Sequence, residues 1–283
     1  MIKKIKILTF FIFSLLYCQS EFQILTIPNE VSHLSSNGIK NENLLENNVN
    51  KFQDYKYSFN VIQYPASIRL YNFKMNKFYL SFLDFGLLED RINDTLYKTF
   101  SAYEIIGHFF IEKKIRNNIV KFKFGFLNSK IYNYSAFAQS NSISFKSILR
   151  ENNVLIGLSI ENFGILFKSY TEYNQKLPVQ YRFSFNKIFK SFELSYDLLY
   201  QKYFEEFQNI LCLKFYPDDK LSFQISNSSN YSDLSFEDNK YHFLSGFGFG
   251  LEIYLKDTIL NLGIQNLGSA GTAFGTSVSF LNK

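Results

Sequence analysis

The feature that most constrains this chain is a period-two alternation of apolar and polar residues, repeated along most of its length. In VQYRFSFN one face carries Val179, Tyr181, Phe183 and Phe185, and the other carries Gln180, Arg182, Ser184 and Asn186. The segments IVKFKFGF (119–126) and SFELSYDLLY (191–200) repeat the pattern. Because successive side chains of a β-strand point to opposite faces, the alternation predicts many strands with one apolar and one polar face.

The alternating segments number fourteen, separated by turn-like clusters such as ENN (151–153) and PDD (217–219). They span 54–63, 66–75, 77–86, 99–113, 119–127, 141–150, 153–161, 179–188, 191–200, 206–216, 219–227, 241–256, 258–265 and 272–281. The stretch 131–139 is a candidate for a further strand. Longer polar connections are predicted at 87–98, 168–177 and 228–240. With 34 Phe and 20 Tyr, the composition also favours an all-β fold.

Residues 1–20 have the features of an export signal. Lys3, Lys4 and Lys6 precede an apolar run, residues 7–17, that is too short to span a bilayer. Cleavage is predicted after Ser20, and lipidation of Cys18 is the alternative. The segment contains three lysines and no acidic residue, so the formal net charge falls from +5 to +2 when it is removed. A chain this close to neutral gives no indication of nucleic-acid binding.

Residues 21–52 are polar, rich in Asn and without clear periodicity. They are predicted to form an irregular N-terminal segment, a plug or a strap, ahead of a β-barrel at 53–283. No apolar run after residue 20 is long enough for a membrane-spanning helix. If the chain crosses a membrane, it must therefore do so as a closed barrel, because only helices and barrels satisfy every backbone polar group in lipid.

Two observations favour a transmembrane antiparallel β-barrel of about fourteen strands over a secreted soluble β-protein. Many segments reach the nine to eleven residues, roughly, that a tilted membrane strand needs. Aromatic residues also stand near strand ends, at Tyr200, Tyr254 and Phe280, where the aromatic girdles of such barrels lie. The mixture of short and long connections is typical of outer-membrane barrels too.

The residues that could carry chemistry form no recognisable site. The histidines, His33, His108 and His242, are far apart in sequence, and Cys212 is the single cysteine after the signal. Glu193 and Asp197 share a strand face but lie about 13 Å apart along it, so they are predicted to line the lumen. Glu205 and Glu206 are predicted to lie in a solvated turn. No catalytic, cofactor or metal site is predicted, and the chain is predicted not to be an enzyme.

Lysines and glycines each allow two interpretations. Lysines alternate with aromatic residues in FKMNK (73–77) and VKFKF (120–124), as on single-strand nucleic-acid binders, but they fall on the polar face and are predicted to line the lumen. In YHFLSGFGFGLEIYL (241–255) three glycines alternate, namely Gly246, Gly248 and Gly250. No phosphate-loop Lys-Ser follows them, so the glycines are predicted either to let something pack closely against the strand or to let the barrel bend.

The chain resembles the PorQ branch of the PorV/PorQ family, outer-membrane proteins of the type IX secretion system of Bacteroidota-like bacteria. The resemblance rests on FQILTIPNEVSHLSSNG (22–38), FSAYEIIGHFF (100–110), IENFGILFKSYTEYNQKLPVQYRFSFNK (160–187) and LSGFGFGLEI (244–253). It covers nearly the whole chain after the signal. It departs at residues 29–33, NEVSH, where the family favours Ser-Ala-Arg.

The resemblance implies a fatty-acid-transporter-like barrel in the outer membrane of a Gram-negative bacterium. It also implies a non-enzymatic role, in which the barrel anchors a PorZ-like surface protein of the attachment complex that processes secreted cargo. The connections 87–98, 168–177 and 228–240 are the predicted partner surface. The alternative is a transport barrel for a hydrophobic small molecule, which the same architecture would permit.

Overall fold

A closed antiparallel β-barrel of fourteen strands is formed by residues 55–281. The computed structural model describes residues 22–39, 55–92, 95–149, 153–170, 176–202, 205–229 and 244–281. The predicted export signal with Cys18, the residues 40–54 and His242 lie outside these ranges. The predicted all-β barrel and its strand number are both confirmed.

Each strand pairs with its neighbours in sequence, and β1 closes the barrel by pairing with β14. The strands are β1 Tyr55–Gln63, β2 Arg69–Met75, β3 Phe78–Ile92, β4 Thr95–Ile115, β5 Asn118–Ile131, β6 Tyr134–Leu149, β7 Val154–Lys168, β8 Gln180–Ile188, β9 Phe192–Gln201, β10 Glu206–Phe215, β11 Leu221–Ser228, β12 Phe247–Tyr254, β13 Thr258–Asn266 and β14 Thr272–Leu281.

The two faces of the wall follow the alternation of the sequence. On β14, Phe274 and Phe280 are exposed on the outer face, whereas Gly275, Ser277 and Ser279 are buried on the lumen face. On β8, Tyr181 and Phe183 point outward, and Arg182 is buried inside. The outer surface is therefore an apolar band, and the lumen is lined mainly by polar and small side chains.

Several expected boundaries are wrong; for example, β7 continues to Lys168 and does not end at residue 161. Residues 87–98 are not a connection, because β3 continues to Ile92 and β4 starts at Thr95. The strand register shifts between Asp84 and Leu87, where Gly86 has a left-handed conformation. This bulge interrupts the alternation of apolar and polar residues, so the sequence pattern does not reveal the rest of the strand. Residues 131–139 hold no additional strand, since 134–139 begin β6. Strand β12 begins at Phe247 rather than at residue 241.

One end of the barrel has only short turns, and the other has two long connections among its seven. The six connections that include 76–77 and 116–117 contain no more than five residues each, and we call this the short-turn end. The seven connections at the opposite end, the long-loop end, include residues 169–179 and 229–246. The first of these overlaps the predicted connection 168–177. The second contains residues 229–240 of the predicted connection 228–240, because β11 ends at Ser228. Most of this predicted connection lies outside the described residues.

The N-terminal segment 22–39 lies inside the barrel, and we call it the plug. It contains a 3-10 turn, Gln23–Leu25, and one short helix, α1 (Val31–Ser35). Its apolar side chains Phe22, Ile24, Val31 and Leu34 are each no more than 3% exposed. They pack in one cluster with lumen residues near the long-loop end, including Ile62, Leu70, Leu127 and Ala273. The apolar part of the plug thus fills that half of the lumen.

Among the described residues, no helix is long and apolar enough to cross a membrane.

A cation on the outer apolar face should destabilise the barrel in lipid. Leu262 lies at the centre of β13 and is 47% exposed on the outer face. Leu262→Lys is expected to lower the free energy of unfolding by about 2–4 kcal/mol, because a lysine at the bilayer midplane loses its hydration. Denaturant titration of the protein in lipid vesicles would measure it. Leu262→Ala serves as control, and equal effects of the two substitutions would contradict a lipid-facing position.

Candidate functional site

The closest contact between plug and wall is made by four glycines. Gly248 and Gly250 on β12, Gly263 on β13 and Gly275 on β14 face α1. A Cβ atom at Gly248 would lie 2.6 Å from the carbonyl oxygen of Ser35, and one at Gly250 would lie 2.5 Å from the Ser35 Oγ. Since real Cβ atoms do not approach other atoms so closely, only glycine allows the helix to rest against this wall.

The residues that follow α1 are held by side chains of the same wall. Asn37, in the left-handed conformation, donates from its Nδ2 to the Ser226 Oγ at 2.7 Å and to the carbonyl oxygen of Gly246 at 2.8 Å. The Gln265 Nε2 donates to the Asn37 Oδ1 at 2.5 Å. The Ser226 Oγ in turn donates to the carbonyl oxygen of Ser35 at 2.7 Å. The polar groups at the C-terminal end of the helix are therefore satisfied by the barrel.

The start of the plug is held by a carboxylate. Glu104 on β4 is 2% exposed, and its carboxylate oxygens accept the backbone N–H groups of Gln23 at 3.2 Å and Ile24 at 2.8 Å. Asn162 on β7 donates from its Nδ2 to the carbonyl oxygen of Leu25 at 3.0 Å. A buried backbone group without a partner costs about 1–3 kcal/mol, so these side chains are needed wherever the plug has no secondary structure of its own.

The end of the plug is tied to a buried ionic cluster. The Arg182 guanidinium lies 2.6 Å from the Asp197 carboxylate and 3.4 Å from the Glu161 carboxylate, and it donates at 3.0 Å to the carbonyl oxygen of Gly38. Each of the three charged side chains is no more than 7% exposed. The single positive charge of Arg182 therefore balances part of the negative charge of two carboxylates, and the same side chain holds the end of the plug.

A second buried ion pair joins β10 and β12. The Lys214 Nζ is 2.6 Å from the Glu252 carboxylate, which also accepts from the Ser222 Oγ at 3.1 Å. Close by, Glu193 accepts hydrogen bonds from Asn186 and from the Tyr216 hydroxyl. Each of these carboxylates is thus matched to fixed donors of the wall.

Between the plug and the short-turn end lies a cavity of about 520 Å³. It is lined by plug residues such as Glu30 and His33, and by polar side chains from all round the lumen. The cavity extends to the β2–β3 turn, where Asn76 and Lys77 lie. The lumen therefore has two halves, one filled by apolar packing and the other polar and hollow.

The two histidines in the described ranges make different contacts. His33 is on α1, where its Nδ1 is 3.1 Å from the Asn29 Oδ1, whereas His108 is buried on β4 beside the Tyr79 ring. Within the described ranges, no group of three or more His, Cys, Asp or Glu side chains is placed to hold a metal ion. Cys212 is buried against Ile39 and Ile210.

The other predicted residues lie where the alternation puts them. Glu193 and Asp197 both face the lumen but belong to different polar networks. Glu205 and Glu206 are exposed at the start of β10. The lysines of FKMNK and VKFKF line the cavity. Of the glycines singled out, Gly248 and Gly250 meet the plug, whereas Gly246 supplies a left-handed turn just before β12.

Two anchors were not predicted as such from the sequence. Glu104 and Arg182 are alternating polar residues like any other lumen residue, and their role depends on the plug that reaches them. The sequence contains one indication of the plug: the alternating glycines of β12 predict that another part of the chain packs closely against this strand. The sequence does not show which segment supplies that neighbour.

Comparisons with known proteins place the fold among outer-membrane barrels. The barrel resembles the Pseudomonas putida toluene transporter TodX with a TM-score of 0.50 and 7% identity, over 82% of this chain and 89% of that one. It also matches the Acinetobacter baumannii outer membrane protein Omp33 with a TM-score of 0.46 and 9% identity, over 82% of this chain and 100% of that one. No family model matches the chain, and neither does any curated protein sequence. The likeness is one of fold: the chain forms a closed β-barrel of the kind found in the outer-membrane protein TodX.

Replacing Gly250 should be rescued by a change in the plug. Gly250→Ala is expected to destabilise the protein by about 1–3 kcal/mol, because the new methyl group meets the Ser35 side chain. Ser35→Gly removes the obstructing atoms, so the double variant should recover most of the loss. Thermal unfolding in detergent would measure all three variants.

Gly248→Ala is the matched control, because its methyl group would meet the backbone oxygen of Ser35, which Ser35→Gly leaves in place. If Ser35→Gly rescued both glycine variants equally, or neither, the described contact between α1 and β12 would be wrong.

Loss of Arg182 should be costly unless its carboxylate partners are neutralised as well. Arg182→Met is expected to lower the free energy of unfolding by about 3–5 kcal/mol, because Glu161 and Asp197 would remain buried without their cation. Adding Glu161→Gln and Asp197→Asn should restore a large part of the loss. Denaturant titration would test this, and a triple variant less stable than Arg182→Met alone would contradict it.

Proposed function

We propose that the chain is a non-enzymatic anchor of the type IX secretion system, a PorQ-like member of the PorV/PorQ family in the outer membrane of a Bacteroidota-like bacterium. In this role the barrel holds a PorZ-like protein of the attachment complex at the cell surface. The proposal rests on the sequence resemblance, and one structural observation supports it. The plug is tied into the lumen by contacts with strands on all sides of the barrel, and a barrel with a firmly held plug suits an anchor.

The long-loop end offers a surface for such a partner. In outer-membrane barrels the short turns face the periplasm and the longer connections face outward. At that end the β3–β4 hairpin rises above its neighbour: the β4 ladder with β5 stops at Ala102, whereas the ladder with β3 continues to Thr95. Leu87, which is 77% exposed, and Leu88, which is 37% exposed, lie on this raised part. Exposed apolar residues outside the lipid band are typical of protein–protein contacts.

A second candidate is transport of a hydrophobic small molecule. The observation that favours it is the likeness in fold to a protein described as a toluene transporter. In this case the plug would have to move or to leave a path beside it.

Affinity purification of the tagged protein from its native membranes would test the proposal. We expect the wild-type chain to recover a surface-exposed secretion component, and Leu87→Glu with Leu88→Glu to reduce that recovery by about tenfold or more, because a buried apolar anchor is worth roughly 1.4 kcal/mol or more. Leu255→Glu is the control, since Leu255 is a similarly exposed leucine in a turn at the opposite end.

The two candidate functions give opposite results. If the wild-type protein recovers no secretion component, and deletion of its gene abolishes uptake of a lipophilic solute while secretion continues, the anchor proposal is wrong and the transport function is supported.

A further inference from the structure

The polar cavity has one strongly basic wall. On the β2–β6 side, the described lining residues include five lysines and one carboxylate, Glu112. The lysines are Lys74, Lys77, Lys121, Lys123 and Lys146. The plug adds Glu30, whose carboxylate is 3.9 Å from the Lys74 Nζ. Even with both carboxylates counted, this wall has an excess of positive charge.

The strand register brings three of these lysines together. Lys121 and Lys123 are two residues apart on the lumen face of β5, a spacing of about 7 Å. Lys146 on β6 pairs with Ile119, so it is the diagonal neighbour of Lys121, at roughly 7–8 Å between backbones. Long side chains reach across such distances easily. Glu112 on β4 pairs with Lys121 across the β4–β5 ladder. The three ammonium groups can converge on a common ligand and, with this carboxylate counted, still carry a net positive charge.

Hydroxyl groups stand between these lysines. Ser144 pairs with Lys121, and Ser142 pairs with Lys123, across the β5–β6 ladder. Both serines line the cavity, whereas the hydroxyl of Ser159 on β7, which also lines it, donates to the Glu161 carboxylate at 3.1 Å. The Lys121 Nζ also lies 4.5 Å from the centre of the Phe110 ring, which helps to fix its direction. Ammonium and hydroxyl groups in one array provide donors of the kind that bind phosphate, sulfate or carboxylate.

The strands that follow, β7 to β12, have the reverse balance. Their lining residues include the carboxylates Glu161, Glu193 and Glu252 and the cations Arg182 and Lys214. Asp197, in contact with Arg182, adds a further negative charge. An anion inside the cavity is thus attracted to the β5–β6 wall and repelled by the carboxylates that begin on β7, which confines it to the lysine side of the cavity.

We propose that the β5–β6 wall of this cavity binds a small soluble polyanion, one that carries at least two phosphate, sulfate or carboxylate groups. The cavity volume accommodates a compact solute of this kind. Because the cavity lies on the short-turn side of the plug, the ligand comes from the periplasm. This site is independent of the anchor function, since it uses the lumen and not the long-loop surface.

Inorganic pyrophosphate is the probe for a binding test. The folded, detergent-purified barrel should bind it in isothermal titration calorimetry at low ionic strength, and added sulfate should compete. Combined Lys121→Gln, Lys123→Gln and Lys146→Gln should weaken binding by at least about tenfold, because each lysine supplies a charge-assisted hydrogen bond. Lys130→Gln is the matched control: it lies on the same strand but is exposed on the outer face.

Chemical labelling tests the site without any substitution. Pyrophosphate should protect Lys121, Lys123 and Lys146 of the wild-type barrel from amine acylation, as read by mass spectrometry, and should leave Lys130 unprotected. This result would support the site even if the triple variant failed to fold. Absence of pyrophosphate binding by the wild-type barrel, or equal protection of Lys130, would overturn the proposal.

Discussion

Closure of the sheet is the constraint on which the rest of the structure depends. Inside a membrane no water satisfies a backbone amide, so every strand needs two neighbours, and the β1–β14 ladder provides the last pairing. Once fourteen strands close, the lumen is wider than its own side chains can fill, in contrast to a barrel of about eight strands. The interior must then hold water, a ligand or another part of the chain. Here residues 22–39 occupy it near the long-loop end.

Filling the lumen with irregular chain creates a second requirement. A segment with one short helix leaves many of its backbone N–H and C=O groups without partners inside the segment, and the barrel supplies partners through side chains such as Glu104, Ser226 and Arg182. The glycines of β12 to β14 meet a different requirement, which is space. Polar anchors and a smooth glycine wall together explain why the lumen face is so varied in residue type, while the outer face is predominantly apolar.

The sequence predicts the wall far better than it predicts the interior. The lipid-facing side of each strand needs only to be apolar, so alternation alone indicates β8 or β14 and their inward faces. It fails at 87–98, because the bulge at Gly86 shifts the phase where the hairpin rises above its neighbours. The glycines of β12 predict a close neighbour, but their partner Ser35 is more than two hundred residues away. Contacts over that separation follow from barrel closure and not from any local pattern.

The polarity of the lumen bears on what can move through it. An apolar solute entering from the long-loop end would find the cluster around Phe22, Ile24 and Leu34 already packed. Beyond it, the solute would contact lysines and carboxylates. Removing water from these charged groups costs free energy, and an apolar solute forms no hydrogen bonds to compensate for it. A straight path along the axis therefore does not suit such a solute while the plug is in place. An anion approaching from the short-turn end meets the opposite conditions, because the wall of β5 and β6 offers it charge and hydroxyl donors. The same plug that packs the long-loop half of the lumen thus leaves, on its short-turn side, a half-lumen whose chemistry favours polar and negatively charged solutes.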